Sequence, residues 1–248
     1  MSITQPTIAQ RVIYPETDGK PMAETDVHRQ ELMATIETLE NYFAAAPEKY
    51  VAGNMLLYYE EGTPAASVAP DVFVVRGVTK DKRCTYKLWE EPYGPQFVVE
   101  LTSRSTRLED LGTKRVVYAN IGVEEYLLFD PLGEYLRPPF QAFRLNDGEL
   151  ERVELDPDGS FLSQTLGLRL RVEEQQLRLY NEETGERLLR SSEARARGIL
   201  AEQQARQAEQ QARQAEQRAQ SEAAARQAAE AELVQLRAEL ARLRGEGI

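Results

Sequence analysis

The chain of 248 residues has very little of the chemistry that most catalytic sites draw on. It contains one cysteine, Cys84, and one histidine, His28. A lone cysteine excludes an internal disulfide and a zinc site built from a cluster of thiolates. A lone histidine excludes any metal centre made of several imidazoles. Net positive charge is also missing. Forty-one acidic residues against thirty basic ones leave a formal charge of −11, which argues against a broad basic face for nonspecific nucleic-acid binding. No apolar run approaches the roughly 20 residues of a membrane span. The N-terminus, Met1-Ser2-Ile3-Thr4-Gln5-Pro6, has neither a basic nor an apolar region of the kind a secretory signal needs. A cytoplasmic protein without membrane contact is therefore expected. What remains for catalysis is carboxylate, lysine, hydroxyl and an oxygen-liganded hard cation such as Mg²⁺.

The organising stretch is Gln96 to Pro131. It opens with Phe97-Val98-Val99-Glu100-Leu101, a short apolar run that reads as a strand buried on both faces. Thr106-Arg107-Leu108-Glu109 has a capping-box pattern that predicts a helix start, and Gly122 predicts its stop. A second apolar strand runs from Glu125 to Phe129, so the whole reads as a βαβ unit with parallel strands. On the intervening helix Leu111, Lys114, Tyr118 and Ile121 share the inward face, with Asp110 at its margin. Glu100 stands out, because an ionised carboxylate inside a buried strand costs several kcal/mol unless a positive group meets it, on the order of 3–5 kcal/mol for an uncompensated charge.

The flanking regions follow from their patterns. Residues 1–24 carry Pro6, Pro15, Gly19 and Pro21 and read as irregular. A helix is expected from Thr25 or Asp26, with Leu32, Ile36, Leu39 and Phe43 as its apolar stripe, His28 on the same inner face, and an end at Pro47. Met55 to Tyr59 and Val72 to Val75 read as strands, the latter with Asp71 at its entrance, and Arg76 to Pro95 as a long basic and aromatic surface loop. Beyond Pro131 two hairpins are expected, 140–145 with 150–155 around Asn146-Asp147-Gly148, and 168–172 with 176–180, extending the sheet.

From Ser191 onward the composition is nearly all Ala, Glu, Gln, Arg and Leu. Ala201, Ala205, Ala208, Ala212, Ala215 and Ala219 alternate by four and three, and the same frame continues through Glu222, Arg226 and Ala229 to Leu233, Leu236, Leu240 and Leu243. That is one heptad register along a helix about 60 Å long. It predicts a coiled coil over 191–248 and self-association, with a homodimer expected; a lone, partly frayed helix is the other outcome the alanines permit. The domain boundaries expected are 1–24, 25–190 and 191–248.

Asp71, Glu100 and Lys114 form a chemical set. Paired carboxylates hold Mg²⁺ or Mn²⁺ for phosphodiester hydrolysis, and a lysine orients or helps deprotonate water, or stabilises charge on the phosphate. His28 is a possible accessory facing the same pocket. Each residue also has a plainer reading. Asp71 suits a strand-entrance cap after Pro70, Glu100 and Lys114 suit a buried structural ion pair, and His28 suits a satisfied helix histidine.

The segments V-A-P-D-V-F-V-V, F-V-V-E-L-T-S-R-S-T-R-L-E-D-L-G-T-K and Y-A-N-I-G-V-E-E-Y-L-L-F-D-P resemble the Uma-two family of restriction-endonuclease-like proteins, within the PD-(D/E)XK nuclease superfamily. The resemblance covers roughly residues 20–180. It implies an α/β restriction-endonuclease-like core, a mixed sheet with flanking helices, and DNA as the substrate of a metal-dependent endonuclease. It implies Asp71 as the first metal ligand and Glu100 as the second. The superfamily places a lysine two residues after the acid, where this chain has Thr102, and the resemblance suggests that Lys114 on the helix takes that role. Two other readings fit the same residues. One is a catalytically degenerate scaffold acting through its coiled coil, and the other is a nucleic-acid-binding protein that does not cleave.

Overall fold

The computed structural model describes residues 12–17 and 25–245. Among these the order is α1 (Asp26–Tyr42), β1 (Lys49–Ala52), β2 (Leu57–Tyr58), β3 (Ser67–Val68), β4 (Val72–Arg76), β5 (Tyr86–Lys87), β6 (Phe97–Leu101), α2 (Arg107–Leu111), α3 (Thr113–Asn120), β7 (Glu125–Phe129), β8 (Phe140–Asn146), β9 (Glu149–Val153), β10 (Phe161–Ser163), β11 (Leu168–Glu173), β12 (Gln176–Asn181) and α4 (Ser191–Gly245). The chain divides into two units, residues 1–191 and 192–248. Most of the irregular segment expected at 1–24 lies outside the described residues. Its described part, 12–17, has no helix or strand, and Tyr14 there meets the rings of Tyr58 and Trp89.

The first unit is built on a six-stranded mixed sheet of order β1-β4-β6-β7-β8-β9. Only β6 and β7 in this sheet run parallel, in register from Phe97 opposite Glu125 to Leu101 opposite Phe129. They are also the two strands buried along their whole length, which is why their sequences are unbroken apolar runs rather than alternations. Successive side chains still point to opposite faces. Phe97, Val99 and Leu101 join Leu32 and Leu39 of α1, Phe43 just after it, and the leucines of β11 and β12 in one core. Val98 joins Phe73, Tyr118, Tyr126 and Leu128 in the other, on the α3 side. Glu100, two residues beyond Val98, falls on that second side.

Four expectations are corrected. The helix between β6 and β7 is broken at Gly112, so Asp110 and Lys114 belong to different helices. Packing is tight at the break, where a Cβ would stand 3.0 Å from the Leu108 carbonyl oxygen. Thr106 does not cap α2 with its side chain; its hydroxyl accepts from the Ser103 amide instead. The stretch 76–95 is not all surface loop, because Tyr86 on β5 is fully buried and pairs β2 in a small sheet of order β3-β2-β5. Of the two C-terminal hairpins, β8–β9 extends the main sheet, whereas β11–β12 joins β10 in a separate sheet that packs over the α1 side.

α1 starts at the expected cap, Thr25 accepting from the His28 amide at 3.2 Å. Its buried face is pinned at Glu31, which takes both guanidinium nitrogens of Arg190 at 2.7 Å and the Leu177 amide at 3.1 Å. The bidentate geometry satisfies a carboxylate that is only 4% exposed. The second unit is α4, a helix of 55 residues in which no side chain is buried.

Candidate active site

Asp71 sits just before β4, and its backbone is held by close approach. The Asn54 amide donates to the Pro70 carbonyl at 2.8 Å, and a Cβ on Gly53 would lie 2.0 Å from the Asp71 carbonyl oxygen. Only glycine permits that contact. The Asp71 carboxylate then accepts from the Leu101 amide at 2.7 Å, at the end of β6. The Leu101 carbonyl accepts from His28 Nε2 at 2.7 Å, which puts the proton on that nitrogen. His28 Nε2 lies 3.7 Å from Asp71 Oδ2. The structure thus brings His28 to the Asp71 end of the site, held by backbone.

Glu100 is wholly buried, and both its oxygens are engaged. Lys114 Nζ donates to Oε2 at 2.8 Å, and Tyr118 Oη donates to Oε1 at 2.5 Å. Lys114 also lies 3.0 Å from Asp110 Oδ1. Asp110 is fully buried rather than marginal on its helix, and neither of its oxygens accepts a hydrogen bond within the standard geometry. The Thr102 hydroxyl, 2% exposed where the superfamily lysine would stand, also has no hydrogen-bond partner. Asp110 and Tyr118 are the members the sequence did not single out as functional. The break at Gly112 hid the first. Tyr118 sat in the inward stripe, but only as an aromatic among apolar residues.

Three carboxylates therefore share one ammonium. Burial pushes Asp71 up to about 6, with Lys114 and the Leu101 amide pulling the other way. Burial likewise pushes Glu100 up to about 8, opposed by Lys114 and reinforced by Asp71 and Asp110. Burial alone would lower the pKa of Lys114, but Glu100, Asp110 and Asp71 outweigh it and hold the amine firmly protonated. Tyr118 is raised well above the usual phenol value by burial and by Glu100, so it remains a donor. Negative charge without enough counter-charge is the condition a hard divalent cation relieves. The donor set, all oxygen, suits Mg²⁺ or Mn²⁺ and no softer metal. Among the described residues no three His, Cys, Asp or Glu side chains form a ready-made metal cage. The protein ligands would be Asp71 and Glu100, the sparse side-chain ligation that Mg²⁺ commonly accepts while keeping waters and substrate oxygens.

The first unit is thus a mixed α/β fold, and the parallel strand pair of its main sheet carries a buried acid, met by a lysine from the crossover. The family model Uma2, described as "Putative restriction endonuclease", matches residues 10–179, and the chain belongs to that family. No curated protein matches the sequence. Similar solved structures include that of "a putative nuclease belonging to DUF820" from Anabaena variabilis. It is 14% identical with a TM-score of 0.46, over 64% of this chain and 87% of that one. Among the described residues no helix is long and apolar enough to cross a membrane.

Proposed function

We propose that this protein is a divalent-metal-dependent endonuclease acting on DNA phosphodiester bonds, with Asp71 and Glu100 as its metal ligands. The observation that carries the reading is the under-compensated cluster of Asp71, Glu100 and Asp110 around Lys114, in a chain of a nuclease family. Mg²⁺ or Mn²⁺ bound there would polarise the phosphodiester and acidify the attacking water. Lys114, 15% exposed and held as an ammonium by two acids, does not serve as a base. Its part is electrostatic, offsetting the charge that builds on the attacked phosphate. Asp110 keeps that ammonium charged and aimed, and Tyr118 fixes the second oxygen of Glu100. His28 acts on the site through the Leu101 carbonyl. Arg104, exposed on the turn between β6 and α2, and Arg107, exposed at the first position of α2, have no ion pair among the described residues and offer cations to the phosphate backbone.

The test is cleavage of supercoiled plasmid with Mg²⁺ or Mn²⁺, with Glu100→Ala alongside. Cutting by the wild type and none by the variant is expected; equal cutting by both rejects the site. Anomalous scattering from Mn²⁺ between Asp71 and Glu100 in a soaked crystal reads the metal site independently of activity. One observation favours a second reading, a nuclease fold that binds nucleic acid or a partner without cutting. Thr102 occupies the superfamily's lysine position, and its hydroxyl cannot supply a cation's charge. DNA binding with no cleavage in either metal would select that reading.

A further inference from the structure

The nuclease chemistry leaves the longest element of the chain unused. α4 buries no side chain, and its terminal leucines Leu233, Leu236, Leu240 and Leu243 stand 50–66% exposed. These four fall on the same 4-3 frame as the upstream alanines, so one stripe runs the length of the helix. It is alanine at 205–219, charged at Glu222 and Arg226, and leucine from 233 to 243. A stripe that combines small, charged and large residues in one register specifies more than general stickiness.

We propose that α4 pairs with α4 of a second copy of this chain in antiparallel orientation, about a two-fold axis at Ala224. Reversing a 4-3 frame about that residue lays every seam residue on a seam residue. Leu233 then faces Ala215 of the other copy, Leu236 faces Ala212, Leu240 faces Ala208, Leu243 faces Ala205, and Ala229 faces Ala219. Each of those layers except the Ala229–Ala219 pair sets a large side chain against a small one, so the two axes keep one spacing along the seam. A parallel pair would stack leucine on leucine at one end and alanine on alanine at the other, forcing the helices apart where the leucines meet.

Charge decides the orientation more sharply. In the antiparallel register Glu222 faces Arg226 of the other copy, twice by symmetry. In a parallel dimer Glu222 would meet Glu222 and Arg226 would meet Arg226, inside the seam. A polar residue at a seam position is the recognised device by which coiled coils set register and partner. Residues flanking the seam do not separate the two cases. Glu209 with Arg237 and Arg218 with Glu232 favour antiparallel pairing and Glu216 with Glu230 opposes it, while Glu232 with Arg237 and Glu239 with Arg244 favour parallel. This pairing goes beyond the nuclease reading and does not rest on it. It sets the two copies of Ser191 roughly 100 Å apart along the paired helices, where a parallel dimer would set them side by side.

The test uses the full chain with Cys84→Ser, since Cys84 is exposed and would crosslink by itself. Two single-cysteine variants are then made, Ala208→Cys and Leu240→Cys, and treated with oxidised glutathione separately and mixed. A disulfide-linked dimer in the mixture, and none from Ala208→Cys alone, is the expected result. Crosslinking of Ala208→Cys to itself shows a parallel pair and overturns the proposal. So does a monomer mass for the unmodified chain by sedimentation equilibrium at tens of micromolar. Glu222→Ala gives a second readout whose sign differs between the orientations. It should weaken the dimer, on the order of tenfold, by leaving Arg226 unpaired in the seam; a tighter dimer would mean that like charges had been relieved, and the antiparallel pairing would be wrong.

Discussion

Glu100 and Glu222 are both acids set among apolar neighbours, and the chain treats them in opposite ways. Glu100 is sealed inside the first unit, and both its oxygens are met from one short helix, by Lys114 and Tyr118. Glu222 lies on a helix in which no side chain is buried, and among the described residues it forms no ion pair with Arg226, four residues on along the same stripe. The core resolves its charge internally and incompletely, which leaves room for a cation. On the proposed pairing, the helix would leave its charge for a second copy to meet. On the two proposals made above, position within the fold, rather than residue type, would decide whether an acid serves chemistry or recognition.

Breaking the core half of that comparison should give the largest effects. Glu100→Ala is expected to take plasmid cleavage below detection, while a Mn²⁺ titration followed by calorimetry loses its binding heat. Lys114→Met should lower the cleavage rate on the order of 10²–10³-fold, the usual worth of one electrostatic donor to the transition state. It should also destabilise the fold by about 3 kcal/mol in urea melts, because Glu100 and Asp110 lose their cation. A variant with full activity would show that Lys114 is only structural. Gly53→Ala probes positioning without touching a charged group. The added methyl must displace the Asp71 backbone, and about 1–3 kcal/mol of stability should go with most of the activity.

A subtler effect lies in pH. Asp71 and Glu100 have folded-state pKa values raised above their ordinary values of 3.8 and 4.5, to about 6 and about 8. The folded protein thus holds protons that the unfolded chain has released, so stability from these groups is present at low pH. It is lost as pH climbs through about 6 and then about 8. Glu100→Gln, which keeps the shape and removes the charge, should match the metal-free wild type at pH 5 and melt higher at pH 8, on the order of 5 °C. Mg²⁺ should raise the melting temperature of the wild type at pH 8 and not that of the variant. The smallest effect expected is from cutting the chain after Ser191. Arg190 and its bond to Glu31 remain, so the melting temperature of the first unit should not move, while the dimer mass should vanish. A collapse of the core on truncation would show that the two regions are not independent.

Much of this was legible from residue order, for reasons that can be named. The strands 97–101 and 125–129 are buried on both faces, and such strands have no competing signal in their sequence. Glu100 stands out there as the one charge in an apolar run, and Lys114 as a cation on the inward stripe of the following helical segment. A helical wheel that assumes an unbroken helix leaves Asp110 at the margin of the inward face, whereas the helix is interrupted at Gly112, a residue of low helix propensity. β1 went unread because Lys49–Ala52 is four residues long, its strand character supplied by pairing with β4 rather than by its own pattern. Gly53 looked like one half of a turn, and its second duty against Asp71 exists only once two segments meet. The independence of the β10–β12 sheet was invisible because a hairpin's sequence does not state which sheet it joins.

Leu101 carries a further consequence. Its amide holds Asp71 and its carbonyl holds His28, so three distant segments of the chain are tied through the backbone of one residue, not through a side chain. Mutational drift at codon 101 among apolar residues leaves those ties in place, since every such residue brings the same amide and carbonyl. Proline is the exception, because it has no N–H to give. Leu101→Val should accordingly cut plasmid like the wild type, and Leu101→Pro should not cut it. The spacing of the site is in this sense inherited from the strand and is robust to which apolar letter the gene happens to spell there.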